Sequence, residues 1–118
     1  MAAVGLALAR TALGVVAFLA PSVPARPWIG DEARGSGAKL LARALGARDV
    51  ALGAGLLLAD RHDRPIRGWL EAGGLADAGD VLATILGWRS TPRAGRWMVL
   101  AAASGGVAAA AALAPRVD

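Results

Sequence analysis

The sequence predicts an all-α protein, a four-helix antiparallel transmembrane bundle that forms a single domain over residues 1–118. The first observation is composition: 56% of the 118 residues are hydrophobic and the mean hydropathy is +0.50, well beyond ordinary globular usage. The second is a set of four apolar stretches of roughly the 20-residue length that crosses a bilayer. The third is that three of these stretches carry charged residues near their midpoints. The predicted spans are residues 2–20, 40–58, 70–87 and 97–114.

A soluble, alanine-rich helical bundle is the alternative fold. The exposed faces of such a bundle should carry charged residues at helical spacing, whereas the stretch from Ala94 to Ala114 offers only Arg96. The 16 glycines and the many alanines also suit the close helix–helix contacts that form in lipid. The composition therefore favours a membrane protein.

The first span, residues 2–20, ends at Pro21, which stops a helix. The Val-Pro-Ala sequence that follows resembles a signal-peptidase site, but the charged segment that should precede the apolar run is absent and Arg10 lies inside it. We therefore expect an uncleaved first helix. Three prolines and a Gly-Ser-Gly sequence predict a loop over residues 21–38, with room for a short interfacial segment anchored by Trp28.

Short charged turns separate the remaining spans, at residues 60–65 and 89–93. Trp69 and Trp88 flank the third span and lie nineteen helical steps apart. At about 1.5 Å per residue this separation is roughly 28 Å, close to the ~30 Å thickness of the hydrocarbon layer. Because Trp prefers the headgroup boundary, the pair predicts an aromatic belt around the third helix.

The basic residues of the loops predict no orientation, because the positive-inside rule needs a clear bias. Six of them fall in the first and third loops and four on the other side. The first group is Arg26, Arg34, Lys39, Arg89, Arg93 and Arg96, and the second is Arg61, Arg64, Arg67 and Arg116.

Charged residues lie at nearly the same depth in three of the four spans, and they form the predicted functional site. Ionisable groups at the bilayer midplane are expensive, so they normally face one another and mark a functional or folding-critical site. Two aspartates in the third span cost about 6 kcal/mol on the insertion scale, and its apolar residues return only about 3. That span therefore needs a cation from another helix, a water-filled cavity or a protonated carboxyl. The predicted layer consists of Arg10, Arg48, Asp49, Asp77 and Asp80, with Thr84 continuing the face of the two third-span aspartates.

Three interpretations of this charged layer remain open. It could be a salt-bridge lock that fixes helix register, since polar contacts hold helices together in lipid. It could be a pocket for the head group of a lipophilic ligand such as a quinone, sterol or polyprenyl lipid. It could also be a proton-coupled path or a site of membrane-embedded acid/base chemistry, for which paired carboxylates are necessary but not sufficient.

Several kinds of chemistry are not expected from this composition. The chain has no cysteine, which excludes disulfides and thiolate chemistry, and its single His62 lies in a loop. No metal site, phosphate loop or nucleophile motif is present, so we expect no cofactor and name no catalytic residue. The net charge of +4 is spread over the flanks of the spans, so nucleic acid is not an expected partner.

Two segments resemble small, uncharacterised bacterial four-helix membrane proteins that are broadly DoxX-like. One segment, residues 43–53, contains the Gly-x-Arg-Asp-x-x-x-Gly pattern around Arg48 and Asp49, and the other covers residues 69–80. The resemblance implies a four-helix antiparallel bundle in the bacterial inner membrane. The DoxX-like proteins include subunits associated with quinone or thiol oxidation. A role in thiol oxidation has no support in this chain, which contains no cysteine.

The expected function is that of an accessory subunit or a binder of a quinone-like or isoprenoid-like ligand, without enzymatic activity of its own. The expected partners are membrane lipid or a lipophilic small molecule, and a homo-oligomer or larger membrane complex. The alternative is a small proton-coupled transporter or membrane-embedded acid/base enzyme that works as an oligomer.

Overall fold

The computed structural model describes residues 1–118 and is entirely helical, which confirms the all-α prediction. It has four long helices and one short one, in place of the four predicted. The α-helices are α1 (Ala2–Leu19), α2 (Ser22–Ile29), α3 (Ser36–Arg61), α4 (Arg67–Leu86) and α5 (Arg93–Leu113), with short 3₁₀ turns at Gly30–Arg34, Trp88–Ser90 and Ala114–Arg116. The long helices begin and end within four residues of the predicted spans. Two segments, Ala2–Leu19 and Arg93–Arg116, are long and apolar enough to span a membrane by length and composition.

The long helices form two antiparallel pairs, α1 with α3 and α4 with α5. Small residues let the backbones of α1 and α3 approach closely. A methyl group added to Gly46 would lie 2.6 Å from the carbonyl oxygen of Gly14 and 2.8 Å from the backbone nitrogen of Phe18. The reciprocal addition to Gly14 would meet the backbone of Gly46 and Val50 at 2.6 and 2.7 Å. Glycine is therefore required at this crossing.

Glycines also mediate the contacts of α4 with its neighbours. Gly106 of α5 abuts the side chain of Asp77, and Gly55 of α3 abuts the ring of Trp69. Gly55 of α3 and Gly106 of α5 therefore face α4.

The loop predicted between the first two long helices contains the short helix α2, so the loop prediction is wrong over Ser22–Ile29. Pro24 falls in its first turn, where the missing N–H costs no helical hydrogen bond. The helix ends at Gly30, whose φ of +71° suits glycine. The backbone of Pro27 lies against Gly95. This contact packs α2 onto the start of α5.

The C-terminal residues close one end of the bundle. The carboxylate of Asp118 accepts hydrogen bonds from the backbone nitrogens of Ile66 and Arg67, at 2.9 and 3.1 Å, and so caps the first turn of α4. Arg67 Nε donates to Glu71 at 2.7 Å, and this bond raises the pKa of the guanidinium above its ordinary value.

Large apolar side chains lie mostly on the outside of the molecule. Only 22 of the 118 residues are buried, most of the buried apolar ones are alanines, and no large side chain is completely enclosed. Leucine, isoleucine, valine and phenylalanine side chains project outward from α1, α3 and α4. Exposed large residues of α1 and α4 include Leu8, Leu13, Phe18, Leu19, Leu75, Leu82, Ile85 and Leu86. The molecule measures 43 × 25 × 17 Å, and its long dimension matches the ~40–45 Å of a bilayer with its headgroups.

Candidate functional site

The five charged residues predicted to share one depth form a single connected network between the two helix pairs. Arg10 comes from α1, Arg48 and Asp49 from α3, and Asp77 and Asp80 from α4. The ion pairs run in the order Asp77–Arg10–Asp49–Arg48–Asp80. Three long helices are therefore joined at their middles by alternating charges.

Arg10 connects α1 to both of the other helices. Its Nη1 donates to Asp49 Oδ1 at 3.1 Å, and its Nη2 donates to Asp77 Oδ2 and to the backbone oxygen of Gly73 at 3.4 Å. The side chain is only 12% exposed. A methyl group on Gly73 would lie 3.4 Å from Nη2, an ordinary contact distance, so the guanidinium lies directly against the backbone of α4.

Arg48 binds α4 through a two-point contact. Its Nη1 and Nη2 donate to the two carboxylate oxygens of Asp80, at 3.1 and 3.0 Å. This bidentate geometry is among the strongest that a guanidinium and a carboxylate form. Nε and Nη2 also donate to Oδ1 of the adjacent Asp49, at 3.3 and 3.1 Å. Asp49 therefore accepts from both arginines and joins the two halves of the network.

Thr84 lies one turn beyond this network and contacts neither arginine. Its hydroxyl donates to the backbone oxygen of Asp80 at 2.7 Å and accepts from Trp28 Nε1 at 3.2 Å. Trp28 was expected to anchor an interfacial segment, and the structure instead turns its indole N–H inward to Thr84. A half-buried indole N–H usually finds an acceptor. This general tendency of tryptophan is the only feature of the sequence that could have indicated the contact.

A small cavity lies beside Arg10, between the two helix pairs. Its volume is about 10 Å³, and apolar side chains of all the surrounding helices, among them Leu6, Leu52, Leu56 and Leu70, line it. Such a volume holds about one water molecule at most. The charged layer is therefore closed on this side.

Each of the two central aspartates of α4 has its own guanidinium, and the two guanidinium groups come from two other helices, α1 and α3. Asp77 pairs with Arg10, and Asp80 pairs with Arg48. In a low-dielectric environment an isolated carboxylate is very costly, and a hydrogen-bonded partner offsets most of that cost. The two central aspartates of α4 are therefore both paired with cations from other helices.

No protein-family model matches the chain, and searches of curated proteins and of solved structures gave no match.

Proposed function

We propose that this chain is a small multi-pass protein of the bacterial inner membrane that acts as an accessory subunit. In this proposal all four long helices cross the bilayer, and the network of Arg10, Arg48, Asp49, Asp77 and Asp80 locks α1, α3 and α4 together. The outer apolar faces then contact lipid or the helices of a membrane partner.

One observation carries the proposal: the polarity of the bundle is inverted relative to a water-soluble protein. The side chains of Arg10 and Asp77 are each 12% exposed, whereas Leu75 and Leu86 on the same helix as Asp77 are 75% and 80% exposed. On α4, Leu75, Leu82, Ile85 and Leu86 are all exposed, and large exposed apolar patches are rare on soluble monomers. Lipid is the solvent in which such an arrangement is stable.

The closed geometry of the network favours a lock over a preformed ligand pocket. All three carboxylates are bonded to guanidinium groups, and the adjacent cavity of about 10 Å³ is far smaller than any head group. With little hydrophobic drive between helices in lipid, polar contacts of this kind hold a bundle in one register.

A binder of a quinone-like or isoprenoid-like ligand is the second candidate, and one observation favours it. The Arg48–Asp80 end of the network is less enclosed than the Arg10 end, with side-chain exposures of 30% and 20%. A carbonyl on a lipophilic head group could accept a hydrogen bond from Arg48 there. This reading also agrees with the resemblance to DoxX-like proteins.

The transporter and acid/base enzyme hypotheses have less support. Both need a carboxylate that exchanges protons with a path or a substrate, and Asp49, Asp77 and Asp80 are all held by arginines. An oligomer that rearranges these ion pairs is the form in which either activity would operate.

Carbonate extraction of membranes from expressing cells tests the membrane proposal. We expect the protein to stay with the membrane pellet at high pH, since apolar helices that cross the bilayer resist extraction. Recovery in the soluble fraction would contradict the proposal, including its lock and binder forms.

Mass spectrometry of lipids that co-purify with the protein distinguishes a purely structural network, the lock, from a ligand-binding one, the binder. A lock retains no stoichiometric isoprenoid, whereas a binder retains one that is lost in Arg48→Gln. Arg67→Gln, which alters an exposed pair with Glu71, is the matched control and should change neither result.

A further inference from the structure

The two ends of the bundle carry very different charge. One end is formed by the end of α1, by α2, by the end of α4 and by the starts of α3 and α5. Arg43 lies at this end because its Nε donates to the backbone oxygen of Phe18 at 3.2 Å. Seven basic and two acidic side chains give this basic end a net charge of +5. They are Arg26, Arg34, Lys39, Arg43, Arg89, Arg93 and Arg96, with Asp31 and Glu32.

The opposite end, where the first and last residues of the chain lie, is electrically neutral in its side chains. Four basic and four acidic residues balance there, and the network in the middle contributes a net charge of −1. With the basic end, these sum to the +4 of the whole chain. The residues of this neutral end are Arg61, Arg64, Arg67 and Arg116, with Asp60, Asp63, Glu71 and Asp118.

The charge of the basic end is also uncompensated by ion pairs. All five salt bridges of the molecule lie in the central network or at the neutral end. Arg26, Arg34, Arg89 and Arg93 are exposed. A set of free guanidinium groups on one end produces a positive field that a counter-charged surface can neutralise.

Aromatic side chains place this end at the depth of lipid headgroups. Trp88 and Trp97 pack edge to face, with ring centroids 5.4 Å apart, and the guanidinium of Arg96 lies 4.5 Å from the Trp88 ring centroid. At about 1.5 Å per residue, Trp88 lies roughly 14 Å along the chain from the midpoint of Asp77 and Asp80, about half of a ~30 Å hydrocarbon layer. Trp and Arg are the side chains that favour this boundary.

We infer that the basic end binds the anionic phospholipid headgroups of the cytoplasmic leaflet. Anionic headgroups attract arginines near the surface. The contact of Arg43 with Phe18 raises the number of Lys and Arg residues at this end to seven, against four at the neutral end, and basic loops of bacterial membrane proteins stay on the cytoplasmic side. The neutral end, with residues 1 and 118, then faces the periplasm. This inference rests on the proposed membrane location and adds its orientation and its lipid partner.

Headgroup preference can be measured in vesicles of defined composition. The protein is reconstituted in phosphatidylcholine with increasing brominated phosphatidylglycerol, which quenches Trp fluorescence, and brominated phosphatidylcholine serves as reference. Three of the four tryptophans, including Trp28, lie at the basic end, so quenching reports mainly on lipid there. We expect a several-fold preference for phosphatidylglycerol, since each arginine near an anionic surface contributes about fivefold.

Two triple variants of equal charge change make this test specific. The ratio of binding to phosphatidylglycerol over phosphatidylcholine should fall towards one in the basic-end variant Arg34→Gln/Arg89→Gln/Arg93→Gln. The same ratio should stay unchanged in the neutral-end variant Arg61→Gln/Arg64→Gln/Arg116→Gln. All six arginines are exposed, so neither variant disturbs packing. Equal quenching by the two lipids in the wild type, or an equal loss in both variants, would overturn the inference.

Orientation is tested independently with single cysteines, because the chain has none of its own. Ser90→Cys and His62→Cys replace exposed residues at the basic and neutral ends. A membrane-impermeant maleimide should label His62→Cys in intact spheroplasts and Ser90→Cys only after lysis. Labelling of Ser90→Cys alone, or of both variants, in intact spheroplasts would overturn the inference. Resistance to carbonate extraction, measured on the same cells, would show that the protein is in the membrane even if the orientation inference is wrong.

Discussion

At the residue scale, the arrangement of the network follows from side-chain length and from the spacing of charges on three helices. Arginine side chains are long enough to cross from one helix pair to the other, and aspartates are too short to do so. Asp49 accepts hydrogen bonds from both Arg10 and Arg48. Loss of either arginine therefore removes a cation that offsets the repulsion between neighbouring carboxylates. The network should therefore respond to mutation as a unit.

The first prediction is that Arg10→Ala destabilises the protein strongly. It leaves Asp77, whose side chain is 12% exposed, without its only ion-pair partner, and breaking one partner of a buried pair costs about 3–5 kcal/mol. Asp77→Asn added to Arg10→Ala should recover part of this loss. The measurement is a double-mutant cycle on thermal or denaturant unfolding in mild detergent.

Arg67→Ala is the control for this cycle, because it breaks the exposed Arg67–Glu71 pair. It should leave the unfolding midpoint close to that of the wild type. A double variant whose loss equals the sum of the two single losses would mean that Arg10 and Asp77 do not interact in solution.

The sequence allowed the shared depth of these charges to be predicted, but not their partners. Spacing within an apolar run fixes depth to about one turn of helix, whereas pairing depends on how each helix is rotated about its axis. A cation from another helix was one expected partner for the aspartates of the third span, and no pattern could assign Arg10 to Asp77 and Arg48 to Asp80. The contact of Trp28 with Thr84 was not predicted, since it depends on the short helix α2 folding back onto the bundle.

At the element scale, hydropathy located the long helices well because apolar runs bounded by proline and charge define them. It missed α2 because the prolines suggested a loop. Pro21 precedes this helix and Pro24 lies in its first turn, whereas Pro27 lies inside it, and packing against Gly95 and Thr84 stabilises the helix. The small residues that suggested close packing did not reveal which helices they join. That pairing depends on contacts between helices far apart in sequence.

The second prediction is that Gly46→Ala destabilises the α1–α3 pair by about 1–3 kcal/mol, the usual cost of overpacking. The new methyl group would meet backbone atoms of Gly14 and Phe18 at 2.6 and 2.8 Å, and backbone cannot rotate away. Gly79→Ala is the matched control, because a methyl group there has no neighbour within 4 Å. Its higher helix propensity should leave stability unchanged or raised by up to about 1 kcal/mol. Equal unfolding midpoints for the two variants would contradict the close approach of α1 and α3.

At the scale of the whole molecule, the charged network explains how a helix with central aspartates could enter a membrane. Only α1 and the Arg93–Arg116 segment are apolar enough by themselves, while Asp77 and Asp80 cost α4 about 6 kcal/mol on the insertion scale. Pairing with Arg10 and Arg48 offsets part of this cost. Insertion of α4 into the membrane should therefore depend on the other helices. A further charged residue on its outer face should make insertion too unfavourable.

The third prediction tests this dependence through the depth of an added carboxylate. Leu75 and Leu86 are both outward-facing on α4, at 75% and 80% exposure. Leu75 lies about 5 Å from the level of the network and Leu86 about 11 Å, at the boundary marked by Trp88. Leu75→Asp adds about 3 kcal/mol to insertion near the helix centre with no arginine in reach, so it should sharply reduce the protein recovered in carbonate-washed membranes. In Leu86→Asp the new carboxylate reaches the headgroups, so this variant should be recovered in the membranes nearly as well as the wild type. A bundle surrounded by water would tolerate both substitutions equally, so equal recovery would contradict a lipid-facing α4.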